Sequence, residues 1–193
     1  MNTSKYFNLE FRYYKNFYDI DSSKIILNNL HSNIKWTNDE VKMYGKYLIL
    51  KRRVALYANN GKSYTYSGLK KDPFPFTKEL NTIKAKVEKK TNVVFNSVLL
   101  NEYEDGQVGM GWHSDDEKEL GKNPTIASLS FGASRDMLFR NKNNPSLKVI
   151  KLLIEDGSLL VMKGETQHFW QHSIPKRLKV KQRRINLTFR TVL

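Results

Sequence analysis

The chain has 193 residues with 33 Lys and Arg against 19 Asp and Glu, a net charge of +14; this is room for one domain, and the basic excess favours a polyanionic partner, nucleic acid above all. It contains no cysteine, which excludes a disulfide framework and a thiolate metal centre. Any metal must sit on His, Asp, Glu or water, a set that suits iron, manganese or magnesium better than structural zinc. No signal-peptide pattern and no run of about 18 apolar residues is present, so no membrane span and a cytoplasmic or nuclear location are expected.

In chain order, a helix is expected over about Ser22–Ile34, where Ile26 and Leu30 stand one turn apart. Val41–Tyr47 and Leu48–Leu56 read as a hairpin around Tyr44-Gly45, followed by a short strand that puts Tyr64 and Tyr66 on one side. A second helix over about Pro75–Lys90 repeats Phe76, Leu80, Ile83 and Val87 at helical spacing, with Pro75 suited to its start. From Asn92 onward the pattern changes to strands. Val93–Tyr103, Ile126–Phe131, Asp136–Arg140, Leu147–Ile154, Ser158–Met162, Phe169–Ile174 and Arg184–Leu193 are runs rich in Val, Ile, Leu and Phe. Turn residues such as Asp105-Gly106, Asn143-Asn144-Pro145 and Asp156-Gly157 separate them. The expected fold is α+β and mainly β: a sandwich or double-sheet jelly roll with helices on one outer face. One domain, 1–193, is expected, about 1–91 holding the helices and hairpin and about 92–193 the strand core.

Four histidines are available, His31, His113, His168 and His172. His113 and Asp115 stand two apart, and in extended chain such residues project to the same side, where both can grip one ion. His172 lies far downstream at the end of the strand series. Two imidazoles and one carboxylate leave coordination positions open, as non-haem iron oxygenases need. Alone, His-x-Asp is weak evidence, since chance and surface hydrogen bonding produce it often. The last strand adds weight: Ile185, Leu187 and Phe189 alternate strictly with Arg184, Asn186, Thr188 and Arg190. The polar side either faces water or holds a ligand, and two guanidinium forks match the two carboxylates of a compound such as 2-oxoglutarate. Asn101 and Tyr103 are again same-face neighbours that can add hydrogen bonds, although Tyr103 also reads as a core aromatic.

In these stretches the chain resembles the AlkB family of alkylated-nucleic-acid dioxygenases, and its duplex-DNA-repairing branch in particular. The resemblance rests on 101–106, 113–117, 127–132, 172–175 and Arg184–Arg190, in the family's order and at its spacing. It implies that His113, Asp115 and His172 bind iron(II). It implies that Asn101, Tyr103, Arg184, Asn186, Thr188 and Arg190 hold 2-oxoglutarate, with O2 as second substrate; which arginine takes which carboxylate stays open. The family pattern places its ligand before Ser-Ile-Pro, which favours His172 over His168; His168 is then a loop residue and His31 a helix-surface one.

The implied reaction is oxidative dealkylation of bases such as 1-methyladenine and 3-methylcytosine in DNA, yielding succinate and formaldehyde. Tyr64 and Tyr66 are core aromatics on a bland reading; beside an iron site they become a stacking wall for an extruded base. Tyr44, Gly45 and Lys46 resemble the hairpin with which this branch enters the base stack, although the family more often has Phe where Tyr44 stands. Lys46 and Arg52 are expected on flanking phosphates. Asp116 and Glu117 are a surface acidic pair or, near the site, a means of favouring cationic alkylated bases. Basic clusters at 51–53, 70–71 and 176–184 suit a phosphate backbone. A monomer acting on duplex DNA is expected; the alternatives are RNA or single strands as substrate, or a non-catalytic basic nucleic-acid-binding module.

Overall fold

A computed structural model describes residues 2–3, 6–43, 46–59, 64–66 and 69–193. The chain opens with β1 (Asn2–Thr3) and β2 (Glu10–Tyr14), the latter burying Phe11 and Tyr13 while Glu10 and Arg12 face out. Helix α1 (Ile20–Asn33) starts where the Asp19 carboxylate accepts the Ser22 N–H at 2.8 Å, which satisfies one of the orphan donors of the first turn. Strands β3 (Thr37–Met43) and β4 (Lys46–Ala58) pair antiparallel, the expected hairpin, with Met43 opposite Lys46. Short strands β5 (Tyr64–Tyr66) and β6 (Leu69–Lys71) pair with each other. Helix α2 (Lys78–Thr91) begins three residues after Pro75, because Thr77 supplies the cap that accepts the Leu80 N–H. It stops at Asn92, whose φ of 57° is left-handed.

The rest is strand. It comprises β7 (Ser97–Tyr103), β8 (Met110–His113), β9 (Ile126–Gly132), β10 (Arg135–Asn141), β11 (Ile150–Ile154), β12 (Ser158–Lys163), a one-turn α3 (Thr166–Phe169), β13 (Trp170–Ile174) and β14 (Arg184–Arg190). The larger sheet runs β1-β2-β12-β9-β14-β7-β4-β3 and the smaller β11-β10-β13-β8, with every named strand pair antiparallel. Two antiparallel sheets facing each other are the expected jelly roll. Strands β2 and β8 and the turn α3 lie outside the expected set: each is short and carries charged or polar residues that obscure its apolar partners.

Strand alternation divides the interior into two cores. On the outer face of the large sheet, Leu30, Leu80, Ile83 and Val87 from the helices pack on Val98, Leu100, Leu129, Phe131, Ile185, Leu187 and Phe189. Between the sheets, Leu56, Leu99, Met137, Phe139, Ile154, Leu160, Met162 and Trp170 form the second. Among the described residues no helix is long and apolar enough to cross a membrane.

Candidate active site

The polar side of β14 faces the space between the sheets, where all four of its side chains are buried: Arg184, Asn186, Thr188 and Arg190. Its neighbours β7 and β9 contribute Asn101, Tyr103, Ser128 and Ser130 to the same wall. Hydrogen bonds tie this wall together. Asn186 Nδ2 donates to Ser128 Oγ at 2.8 Å, Thr188 Oγ1 donates to Asn186 Oδ1 at 3.0 Å, and Arg184 Nη2 donates to Ser130 Oγ at 2.9 Å. The opposite wall comes from the small sheet, where His172 of β13 stands directly across from His113 at the end of β8. One pocket is lined by all nine residues expected to hold a metal and a dicarboxylate, with Met110, Met137, Met162 and Ile174 as apolar walls.

His113, Asp115 and His172 each place a ligand atom within 4.8 Å of the others. Strand β8 ends at His113, so Asp115 is held by other means. Its N–H donates to Gln167 Oε1 at 2.9 Å, and its carboxylate accepts from Arg190 Nη2 at 2.5 Å. His113 Nδ1 lies 2.9 Å from the Gly111 carbonyl and donates to it, which leaves Nε2 with the lone pair. Burial works to raise the Asp115 carboxyl, but Arg190, His172 and His113 outweigh it and bring it down to about 2. His172 is pressed down to about 3, first by burial and then by His113 and Arg190, against the pull of Asp115. At neutral pH His172 is a neutral imidazole and Asp115 a carboxylate, the forms that bind a metal.

Away from that cluster the pocket holds unfilled polar atoms. Arg184 is 1% exposed, yet its Nε and Nη1 have no hydrogen-bond partner among the described residues; Asn101 Oδ1 is in the same state. Burial, with Arg135 nearby, holds the Arg184 guanidinium below its usual range. Tyr103 lies between the Arg184 and Arg135 guanidinium groups, 5.1 and 5.8 Å from its ring centre.

Comparison with known proteins gives a consistent answer. A family model described as the 2OG-Fe(II) oxygenase superfamily matches residues 10–190. DNA oxidative demethylase ALKBH2 of Bos taurus is 44% identical over 159 residues, 79% of this chain and 57% of that protein. This chain belongs to the 2OG-Fe(II) oxygenase superfamily, in its AlkB family. Alpha-ketoglutarate-dependent dioxygenase alkB homolog 3 of Rattus norvegicus is 39% identical over 188 residues, covering 93% of this chain and 63% of the relative. The chain thus spans about three fifths of the length of these curated relatives. In fold, the solved structure of OsALKBH1 matches with a TM-score of 0.67 at 17% identity, over 94% of this chain and 97% of that one.

The site's chemistry fits the two groups for which the oxygenase superfamily is named. The His113, Asp115 and His172 donor set suits a ferrous ion with positions left open. The two unfilled donors of Arg184 lie on either side of Nη2, and a carboxylate oxygen can accept from either in a charge-assisted hydrogen bond; turning the Asn101 amide over would present a further donor.

Other expectations fall elsewhere. His168 is exposed on α3, outside the metal cluster, and His31 bonds Glu102 on the far side of the sheet. Arg52 was expected at a phosphate but is 7% exposed, because it sits on the inward face of β4 with Nη1 3.0 Å from Met110 Sδ. Asp116 is half-exposed and accepts from Lys142 Nζ at 2.8 Å; neither it nor Glu117 lines the pocket. Tyr44 and Gly45 lie outside the described residues, as do the side chains of Lys46, Tyr64 and Tyr66.

Two residues absent from the expected set organise the site. Gln167 holds Asp115 in place from α3. Arg135, 1% exposed, donates to the carbonyls of Asp105, Val108 and Pro175, joining the exit of β7 to the approach to β8 and the exit of β13. Neither carried a signal in the sequence, since each acts on backbone groups that only the fold brings within reach.

Proposed function

We propose that this chain is an Fe(II)- and 2-oxoglutarate-dependent dioxygenase that removes alkyl groups from damaged bases in DNA, with duplex favoured over single strands or RNA. The observation that carries this reading is the convergence of His113, Asp115, His172, Asn101, Tyr103, Arg184, Asn186, Thr188 and Arg190 on one pocket. Two relatives are named DNA oxidative demethylase or alkB homolog, and the net charge of +14 suits a polyanionic substrate.

In this reading His113, Asp115 and His172 hold the iron. Asn101, Tyr103, Arg184, Asn186, Thr188 and Arg190 would hold 2-oxoglutarate, whose two carboxylates match the two guanidinium groups of the pocket. When bound, iron and 2-oxoglutarate supply, with O2, the oxidising chemistry that turns an N-methyl group into released formaldehyde and leaves succinate and carbon dioxide. The chain's own part is positional. Gln167 and Arg190 keep Asp115 aimed and ionised, the Gly111 carbonyl keeps His113 Nε2 available, and Met110, Met137 and Ile174 limit access of water. Tyr44 fills the gap left by an extruded nucleotide, and Tyr64 and Tyr66 stack on the base. The acidic pair Asp116 and Glu117 favours cationic bases such as 1-methyladenine and 3-methylcytosine, with Asp116 partly offset by Lys142.

The test is mass spectrometry of oligonucleotides containing 3-methylcytosine, duplex and single-stranded, after incubation with iron(II), ascorbate and 2-oxoglutarate. Loss of the methyl mass is expected, fastest in duplex, and His113→Ala should abolish it while the protein still binds DNA. Turnover by His113→Ala protein would overturn the assignment.

A further inference from the structure

The co-substrate wall is braced from behind by a buried carboxylate. Glu102 lies between Asn101 and Tyr103 on β7, and alternation turns its side chain to the helix-side face of the sheet. It is 3% exposed there, a depth at which a carboxylate needs partners. It has three, from separate parts of the chain. His31 Nδ1 of α1 donates to Oε1 at 2.7 Å, Arg53 of β4 donates through Nε to Oε2, and Arg183 Nε lies 3.1 Å from Oε1 as an ion pair without the angle of a hydrogen bond. Their side chains remain about a third exposed and border a cavity on this face, distinct from the site pocket.

Arg183 immediately precedes Arg184. Its carbonyl accepts the Ala133 N–H at 2.8 Å and packs against Gly132, where a Cβ would come within 2.3 Å of that oxygen. Its main chain is therefore pinned by the β9–β10 turn and its side chain by Glu102. Arg184 projects to the opposite face, where its guanidinium has a hydrogen bond to Ser130 and two donors unfilled. The register links the same residues: Tyr103 stands opposite Arg184, Ile185 opposite Glu102, and Arg53 opposite Glu102 on the other side. A cluster serving stability alone could sit anywhere on this face, but this one is adjacent in sequence or register to Asn101, Tyr103 and Arg184.

We propose that Glu102 is a positioning residue for the 2-oxoglutarate end of the pocket: by gripping Arg183 from behind the sheet, it fixes the start of β14 and the direction in which Arg184 presents its unfilled Nε and Nη1. This rests on the functional reading above. Glu102 touches no reacting atom; it acts through Arg183. A charge-assisted hydrogen bond from a guanidinium to a carboxylate depends on direction more than a point charge does, so a small rotation of Arg184 weakens the co-substrate without disturbing the metal cluster.

The experiment is calorimetric titration of 2-oxoglutarate, without DNA, into protein loaded with manganese(II) in place of iron. It compares wild type, Glu102→Gln, Arg183→Gln and the double variant. Each single change should weaken 2-oxoglutarate about tenfold, the low end for partners that orient a ligand-binding group. The double variant should be no weaker than Glu102→Gln, because both cut one link, and manganese affinity should stay within about twofold. Arg183 is about a third exposed, so its variant carries the test if Glu102→Gln protein does not fold. Wild-type co-substrate affinity in Arg183→Gln, or losses that add in the double variant, would overturn the proposal. A wild-type protein that binds no 2-oxoglutarate would instead sink the functional reading.

Discussion

In a metal-free pocket, Asp115 sits between one guanidinium and two imidazoles, while burial first, and then His113 and Arg190, oppose protonation of His172 more than Asp115 favours it. Both settings make stability depend on pH in the same direction, through different windows. The folded His172 resists protonation down to about 3, whereas an unfolded histidine takes a proton near 6.5. Stability is therefore lost as pH falls below that value. The Asp115 carboxyl, held at about 2, contributes stability that is present above about pH 4 and lost as pH falls through the folded value. At pH 5 only the histidine matters. Urea denaturation with chelator present should show about 2 kcal/mol less stability at about pH 5 than at about pH 7.5 on its account. His172→Asn should remove that difference. An unchanged pH dependence in the variant would assign it to other groups.

Strand β14 shows at the level of an element how a ligand-binding wall is built. Its apolar side is anchored to the helices through Ile185, Leu187 and Phe189, and its entry is set by Arg183 packed over Gly132. Gly132 has a φ of +86°, left-handed backbone that a side chain disfavours by about 1–2 kcal/mol. Its added Cβ would also strike the Arg183 carbonyl. Gly132→Ala should thus cost about 2 kcal/mol or more in urea denaturation and weaken 2-oxoglutarate in parallel. Loss of stability with unaltered co-substrate affinity would separate strand entry from the clamp. The alternation of β14 was legible in the sequence, and so was its choice between water and ligand, but not the answer: the same pattern fits an exposed strand, and only the facing small sheet makes its polar side interior. Helices α1 and α2 were legible to within a turn from apolar spacing. Strand β2 was not, because Glu10 and Arg12 on its exposed face conceal Phe11 and Tyr13. Gln167, Arg135 and Glu102 were illegible for another reason, since the partners of each lie far away in the chain.

Across the whole molecule, the excess of positive charge is divided by the fold into unlike parts. In the basic run from Lys176 to Arg184, Arg177 pairs with Asp136 at 2.7 Å, Arg183 with Glu102, and Arg184 points into the pocket. Lys176, Lys179 and Lys181 remain exposed. Counterion release makes nucleic-acid affinity fall with salt in proportion to the phosphates neutralised, with a slope of about −0.9 per contact on duplex DNA. Replacing the three lysines by alanine should therefore weaken duplex binding at low salt and reduce the logarithmic salt slope by about 2 to 3, with 2-oxoglutarate affinity unchanged. Lys89 of α2 is equally exposed but lies on the helix packed over the outer face of the large sheet, and Lys89→Ala serves as the control. Titrations across a range of salt concentrations decide between two pictures. If the phosphates track along the 176–181 segment, the triple variant loses slope and the control does not. If Lys89→Ala lowers the slope as much per charge, binding is spread over the surface, and the segment has no special part in it.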